Sequence, residues 1–492
     1  MTTNGKRITI DPITRLEGHG KIEIFLDDAG EVANTYFQVP ELRGFEVFCL
    51  GRPAEEMPRL TNRICGVCPE AHHMAASKAL DDLYHVEVPS AGKKLRELFY
   101  SAFYVTDHTT HFYALGGPDF VVGPSAPKAQ RNILGVVGVV GTEAGLKVIN
   151  TRKQNHEVIK MIGGRAIHPV AGLPGGMSKA IDEEQREFIE MIARQNVEFG
   201  EWSLAVFDQI VLQNSDYVDL ILSDGYTQQT YYMGLVDENN HVNFYDGLVR
   251  VVDPEGVEFV KYAPQDYTEH IAEHVEPYSY LKYPYLKDVG WKGFVDGKDS
   301  GMYCATPLSR LNAADGMATP KAQAAYEKFY ETLGGKPVHH TLATHWARLI
   351  ELLYAAERML ELATDPEITS PEVRAIPTET PTVGVGIVEA PRGTLTHHYE
   401  TDENGILTKV NLIVGTTNNN APITLSIKKA ADAVIHEGVV DDGILNMVEM
   451  AFRSYDPCLS CATHSLPGQM PLEVVVRAPD GSVVDRRSQY CG

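Results

Sequence analysis

Residues 63–73 read RICGVCPEAHH, and near the other end of the chain residues 456–464 read DPCLSCATH. Each stretch holds a Cys-x-x-Cys pair, Cys65 with Cys68 and Cys458 with Cys461, and so presents two sulfurs on one side of a single turn. Two such turns brought together offer four thiolates to a metal. Soft thiolates select nickel, iron, zinc or copper(I) over magnesium or calcium. The plain alternative is a structural zinc site with four cysteine ligands. Such sites keep their pairs within roughly 15–20 residues of each other, whereas most of this chain lies between the two. The spacing predicts a metal in the middle of a large fold, with both ends of the chain tied to it.

Outward from those pairs, length and composition set the frame. A chain of 492 residues gives about three domains on the usual length prior, but the distant cysteine pairs argue for one interleaved core with insertions. The composition, 43% hydrophobic and 22% charged, is that of a soluble protein able to bury a large core. A net charge of −23 disfavours nucleic acid and anionic membranes as partners. Seven scattered cysteines form no disulfide framework and suit a reducing cytoplasm. The N-terminus has no apolar signal segment and no twin arginine, and no run of 18 apolar residues exists to span a membrane. The expectation is a cytoplasmic protein.

Residues 7–40 alternate apolar and polar positions around the turn Asp27–Gly30 and read as an N-terminal β element. From about Pro53 to Ile210 the period is helical, with Leu95, Leu98, Phe99, Ala102 and Phe103 on one face. Asp182 to Gln209 reads as another long helix, capped by Ser178. Residues 225–300 look like short strands in an α/β insertion, and His345 to Leu362 returns to helix. Residues 383–415 read as one hairpin turning at Asp402–Gly405, and a further helix lies near 441–454. The expected fold is α+β and predominantly helical, with a central helix bundle. Residues 1–464 would form one interleaved unit, with its insertion near 225–330, followed by an extension at 465–492.

These stretches together resemble the large, catalytic subunit of nickel–iron hydrogenases over essentially the whole chain. The matches are RLEGH (15–19), RGFE (43–46), RICGVCPEAHH (63–73), DHTTHFY (107–113), EAPRGTL (389–395) and DPCLSCATH (456–464). The resemblance implies that Cys65 and Cys458 are terminal nickel ligands and that Cys68 and Cys461 bridge nickel to iron. It also implies one carbon monoxide and two cyanides on the iron, which no composition or spacing could reveal. Arg392, beside Pro391, would aim its guanidinium at a cyanide and the open metal face, steadied by Asp107 and Asp456. Its fixed fork suits anion recognition better than a lysine. Thr416 matches a hydroxyl that donates to a cyanide. His72, four residues after Cys68 on the same helical face, is expected to donate to a cysteine sulfur. Glu17 matches the first proton acceptor after the terminal thiolate of Cys458. Glu46, His464 and the Leu412 carbonyl match a second site for magnesium or iron. The implied reaction is reversible heterolytic cleavage of dihydrogen.

Cys49, Cys304 and Cys491 lack partners at metal spacing, so no iron–sulfur motif is present and electrons would leave through an iron–sulfur small subunit. Segments 163–169, 272–288, 345–353 and 384–399 look like the methyl-viologen-reducing type, which works with heterodisulfide reductase through an iron–sulfur adapter subunit. The bidirectional NAD-reducing type is the runner-up. A hydrogen sensor, or a subunit like the quinone-proximal one of complex I, would keep the fold without turnover; the latter lacks the four cysteines. The resemblance further implies nickel-insertion factors and a maturation protease that removes residues 465–492.

Overall fold

The structure, a computed structural model, describes residues 7–463 and the strands Leu472–Arg477 and Val483–Gln489. The expectations for His464 and Cys491 lie outside the described residues. The N-terminal β element is a three-stranded antiparallel sheet of Arg7–Ile10, Lys21–Leu26 and Val32–Gln38. Its turn is closed by the Asp27 carboxylate, which accepts from the N–H groups of Ala29 and Glu31 at 2.9 and 3.0 Å. Such local capping by Asp is why the residue favours turns.

Helices Ser90–Thr110, Glu183–Phe207 and Thr344–Thr364 pack side by side as the central bundle, and Thr142–Gly163 lies against the first of them. The Glu183–Phe207 helix starts with a capping box: Asp182 accepts from Gln185 N–H, and the Gln185 side chain accepts from Asp182 N–H. Asp182, not Ser178, is therefore the cap. Ser178 instead ties its own N–H to the Ala171 carbonyl in the turn before the helix. Gln185 stands three positions after Asp182, the spacing that reciprocal capping needs.

The segment 383–415 holds three antiparallel strands rather than one hairpin: Val383–Ala390, Gly393–Thr401 and Leu407–Ile413. The expected turn at 402–405 joins the last two. The first two are joined by Pro391-Arg392 alone, so Ala390 pairs directly with Gly393. The apolar run through 384–390 conceals this tight turn, because both strands are buried on both faces and lose the polar alternation. The first strand lies directly on the Pro69–Leu83 helix. A Cβ at Gly386 would sit 2.2 Å from Ala75 O, and one at Gly384 2.1 Å from Ala79 O, so only glycine permits the approach. That contact sets the Cys65–Cys68 end of the helix against the Pro391-Arg392 turn.

The insertion is a mixed sheet centred on Tyr231–Val236, Leu248–Val252 and Glu258–Tyr262, beside a hairpin of Ile271–Val275 and Lys282–Leu286. Helix Pro307–Ala313 packs on the first of these strands. Among the described residues no helix is long and apolar enough to cross a membrane. Strands Leu472–Arg477 and Val483–Gln489 pair antiparallel.

Candidate metal centre

The Sγ atoms of Cys65, Cys68, Cys458 and Cys461 all lie within 4.8 Å of one another, and all four residues are buried. Cys65 stands 3.3 Å from Cys458, and Cys68 stands 3.5 Å from Cys461. Local structure explains the convergence. Cys68 is the N-cap of the Pro69–Leu83 helix, with Pro69 at the first helical position where its missing N–H costs nothing. The Cys65 sulfur accepts from the N–H groups of Val67 and Cys68. On the second turn, Asp456 adopts a left-handed φ of 54° and leads into the short helical turn Leu459–Cys461. Hydrogen bonding from Cys458 and the other two thiols holds Cys65 well below the usual thiol range, while burial pushes Cys458 and Cys461 well above it. A soft divalent cation would reverse that by displacing the remaining protons. Four convergent thiols buried from water fit a nickel–iron centre.

Glu17 reaches this cluster from the N-terminal segment. Its backbone carbonyl accepts from Leu459 N–H at 2.8 Å, and its carboxylate accepts from Ser460 N–H at 3.2 Å and from Cys458 Sγ at 3.0 Å. Gly18 (φ 88°) allows the approach, since a Cβ there would lie 2.7 Å from Ser460 N. Burial and the nearby Cys65 thiolate raise the Glu17 carboxyl above its ordinary range. A carboxyl tuned upward beside a sulfur is suited to exchanging a proton with it.

Arg392 projects from the two-residue turn toward the cluster and is buried. Its guanidinium pairs with Asp107 Oδ2 at 2.9 Å and Asp456 Oδ2 at 3.1 Å. Burial opposes the charge, but the two carboxylates hold Arg392 firmly cationic. Its Nε is buried with no partner among the described atoms. Asp107 sits on the Ser90–Thr110 helix; His111 faces Asp456 Oδ1 at 2.9 Å, not Asp107. Thr416 accepts from Cys458 N–H at 3.0 Å, which leaves its own hydrogen to donate. The bond expected from His72 to sulfur is not made. His72 Nδ1 meets His397 Nε2 at 3.1 Å, and its Nε2 is buried without a partner, while burial lowers the ring to about 4 and keeps it neutral. His73 is structural, with Nδ1 to the Pro58 carbonyl and Nε2 accepting from Gly172 N–H.

Of the residues expected at the second site, Glu46 and Leu412 are described and His464 is not. Glu46 accepts from Leu412 N–H at 2.7 Å. The ammonium of Lys282 lies at the focus of Glu46, Glu273 and Asn411, at 3.1, 3.3 and 3.4 Å. Lys282 thus places a cation beside Glu46, while Glu273 Oε1 is buried with no hydrogen-bond partner among the described atoms.

Sequence reading missed the layer behind Arg392. Arg310, Glu351, Glu389, His108 and Arg348 are all buried there. Arg348 and Glu351 carry a signal, being charged residues inside the apolar helix stretch HWARLIELL. Arg310 carries none.

A sequence profile described as nickel-dependent hydrogenase matches residues 43–134 and 137–464, and one described as HoxL-like matches residues 7–42. The chain is 52% identical over 480 residues to the iron-sulfur subunit of an F420-non-reducing hydrogenase from Archaeoglobus profundus, covering 97% of this chain and 99% of that one. It is 43% identical to an F420-non-reducing hydrogenase subunit from Methanothermobacter marburgensis, covering 98% and 99%. Identity to the beta subunit of the NAD-reducing hydrogenase HoxS of Cupriavidus necator is 36%, covering 98% and 100%. Among solved structures, an NAD+-reducing [NiFe]-hydrogenase in the H2-reduced state superposes with a TM-score of 0.87 at 38% identity, covering 93% of this chain and 99% of that chain. A chain of the Ni-Fe-Se hydrogenase from D. vulgaris Hildenborough shares the fold at a TM-score of 0.75 and 24% identity, covering 94% and 100%. With four buried thiols converging in the same α+β fold, this chain belongs to the nickel-dependent hydrogenase family and is an enzyme that acts on dihydrogen.

Proposed function

We propose that Cys65, Cys68, Cys458 and Cys461 hold a nickel–iron centre, and that the chain's own residues move the proton released when dihydrogen is split. The metals would supply the electrophile that polarises dihydrogen and the reservoir for its two electrons. The carrying observation is the 3.0 Å contact between Cys458 Sγ and Glu17 Oε2. A proton held at Cys458 Sγ passes to Glu17 Oε2, whose raised affinity narrows the gap between donor and acceptor. Arg392, braced by Asp107 and Asp456, keeps positive charge on the reacting side and excludes water. Its partnerless Nε and the free hydrogen of Thr416 are the donors that cyanide ligands on iron would need, and this supports an iron carrying carbon monoxide and two cyanides. Replacing Glu17 with Gln keeps shape and removes the proton acceptor. Hydrogen–deuterium exchange should collapse while nickel stays bound; near-normal exchange would exclude this route.

The gradient of identity, 52% and 43% to F420-non-reducing subunits against 36% to the NAD-reducing one, favours the F420-non-reducing type. In that reading the chain works in the cytoplasm with two iron–sulfur partners, a small subunit plus an adapter subunit, and feeds heterodisulfide reductase. Its companions should include those chains when the native complex is purified; a diaphorase partner binding NAD would overturn it in favour of the runner-up. Turnover with dihydrogen separates an enzyme from a sensor.

A further inference from the structure

The turn that carries Arg392 is held from behind by one side chain that is part of neither the sulfur cluster nor its carboxylates. Arg310 lies on the Pro307–Ala313 helix and is fully buried. Its Nε and Nη2 meet the two oxygens of Glu351 at 2.6 Å each, and its Nη1 meets Glu389 Oε2 at 3.0 Å. Nη1 also donates to the Ala390 carbonyl at 3.0 Å, and Nη2 to the Pro391 carbonyl at 3.1 Å. A guanidinium has five N–H donors in a fixed plane, and these contacts use all of them. Glu351 and Glu389 are themselves buried and anchored: His108 Nε2 lies 3.0 Å from Glu351, while Leu235 N–H and Thr394 Oγ1 donate to Glu389.

The consequence for Arg392 follows from peptide geometry. The Pro391 carbonyl shares one rigid plane with the nitrogen and Cα of Arg392, so Arg310 fixes the plane on the N-terminal side. Asn419 Nδ2 donates to the Arg392 carbonyl at 2.7 Å and fixes the plane on the C-terminal side. With both planes held, the direction of the Arg392 Cα–Cβ bond is determined before its guanidinium meets any carboxylate. Tyr100 and Tyr104 hydroxyls hold the Glu389 carbonyl at 2.6 and 2.8 Å, so each carbonyl from Glu389 to Arg392 is capped by a side chain from another element.

We propose that Arg310 is a positioning residue for dihydrogen cleavage, acting through the Pro391-Arg392 turn. The inference rests on the reading of Arg392 given above. A lysine at 310 keeps the charge, but its single ammonium cannot span Glu351, Glu389 and two carbonyls at once. Misplacing a reacting group by an ångström costs up to about 100-fold. Arg310→Lys should therefore lower kcat about 10- to 100-fold, with nickel content and the KM for dihydrogen unchanged. The decisive measurement is a double-mutant cycle with Arg392→Lys. If Arg310 works through Arg392, the double variant is no slower than Arg392→Lys alone, within about threefold. A crystal structure of Arg310→Lys should show the Arg392 guanidinium moved away from Asp107 and Asp456. Should Arg310→Lys fail to assemble, Arg310→Gln combined with Glu351→Gln keeps the buried charge balanced and serves in the same cycle. Multiplicative losses, or an Arg310→Lys enzyme at wild-type rate with Arg392 undisplaced, would overturn the inference while a slow Arg392→Lys leaves the reading of Arg392 standing. An Arg392→Lys enzyme at wild-type rate would instead remove that reading, and this inference with it.

Discussion

Replacing Arg392 with lysine conserves charge and tests whether the fork itself matters. In the structure the guanidinium spans Asp107 at 2.9 Å and Asp456 at 3.1 Å, two buried carboxylates on different elements. A lysine ammonium that faces Asp456 closely has no second arm at the guanidinium spacing, so the charge-assisted bond that Nη1 gives to Asp107 is lost. Such a bond is worth about 1.5–3 kcal/mol. The unpartnered Nε, the donor left for a ligand of the centre, disappears as well. Together these give an expected loss of at least about 100-fold in rate, or about 2.7 kcal/mol of transition-state stabilisation. The fold should survive, because one cation still compensates the pocket. The assay is dihydrogen-dependent reduction of methyl viologen by the purified complex, with nickel quantified in the same preparation. Activity within about threefold of wild type, about 0.6 kcal/mol, at full nickel content would mean that Arg392 only packs.

Two further outcomes are expected. Cys461→Ser removes one of the four convergent sulfurs, so both nickel and iron should fall far below one per chain by elemental analysis; full occupancy of both would refute the assignment of Cys461 as a shared ligand. Intact mass of the active enzyme should correspond to a chain ending at His464, since the resemblance places a protease cut there after nickel insertion; a full-length mass with full activity would refute it.

The residues at the sulfur cluster were legible in the sequence because each sits in a short motif with an unusual neighbour: glycine beside Glu17, proline and glycine around Arg392, a second cysteine three positions away. The three-stranded arrangement of 383–413 was not, because strands buried on both faces lose the alternation that marks their ends. Ser178 looked like a cap because it follows breakers, but a reciprocal partner three residues on decides between candidate caps, and Asp182 has one. The sulfur bond expected of His72 depended on helical spacing, which brings a ring near a face without choosing its partner; His397 on a neighbouring strand takes Nδ1 instead. Lys282 at the Glu46 site was invisible for a related reason. It belongs to the insertion, far away in sequence, and only the fold brings its ammonium between two carboxylates.

Charge around the Pro391-Arg392 turn is arranged in two facing layers. In front, Arg392 is matched by Asp107 and Asp456; behind, Arg310 is matched by Glu351 and Glu389. Buried ion pairs of this kind are poor sources of stability, because desolvation consumes most of the Coulombic gain and apolar replacements of equal volume are often as stable or more so. Their presence is better explained by what apolar side chains cannot do. Packing alone fixes a side chain through many weak contacts that allow small slides, whereas hydrogen bonds to successive carbonyls fix peptide planes by direction as well as distance. A two-residue turn has no internal ladder to hold it, so its orientation must come from outside, and Arg310, Asn419, Tyr100 and Tyr104 supply it. The ionic layer thus contributes placement rather than folding energy, and the variants that separate the two roles are those that keep the charge and lose the fork.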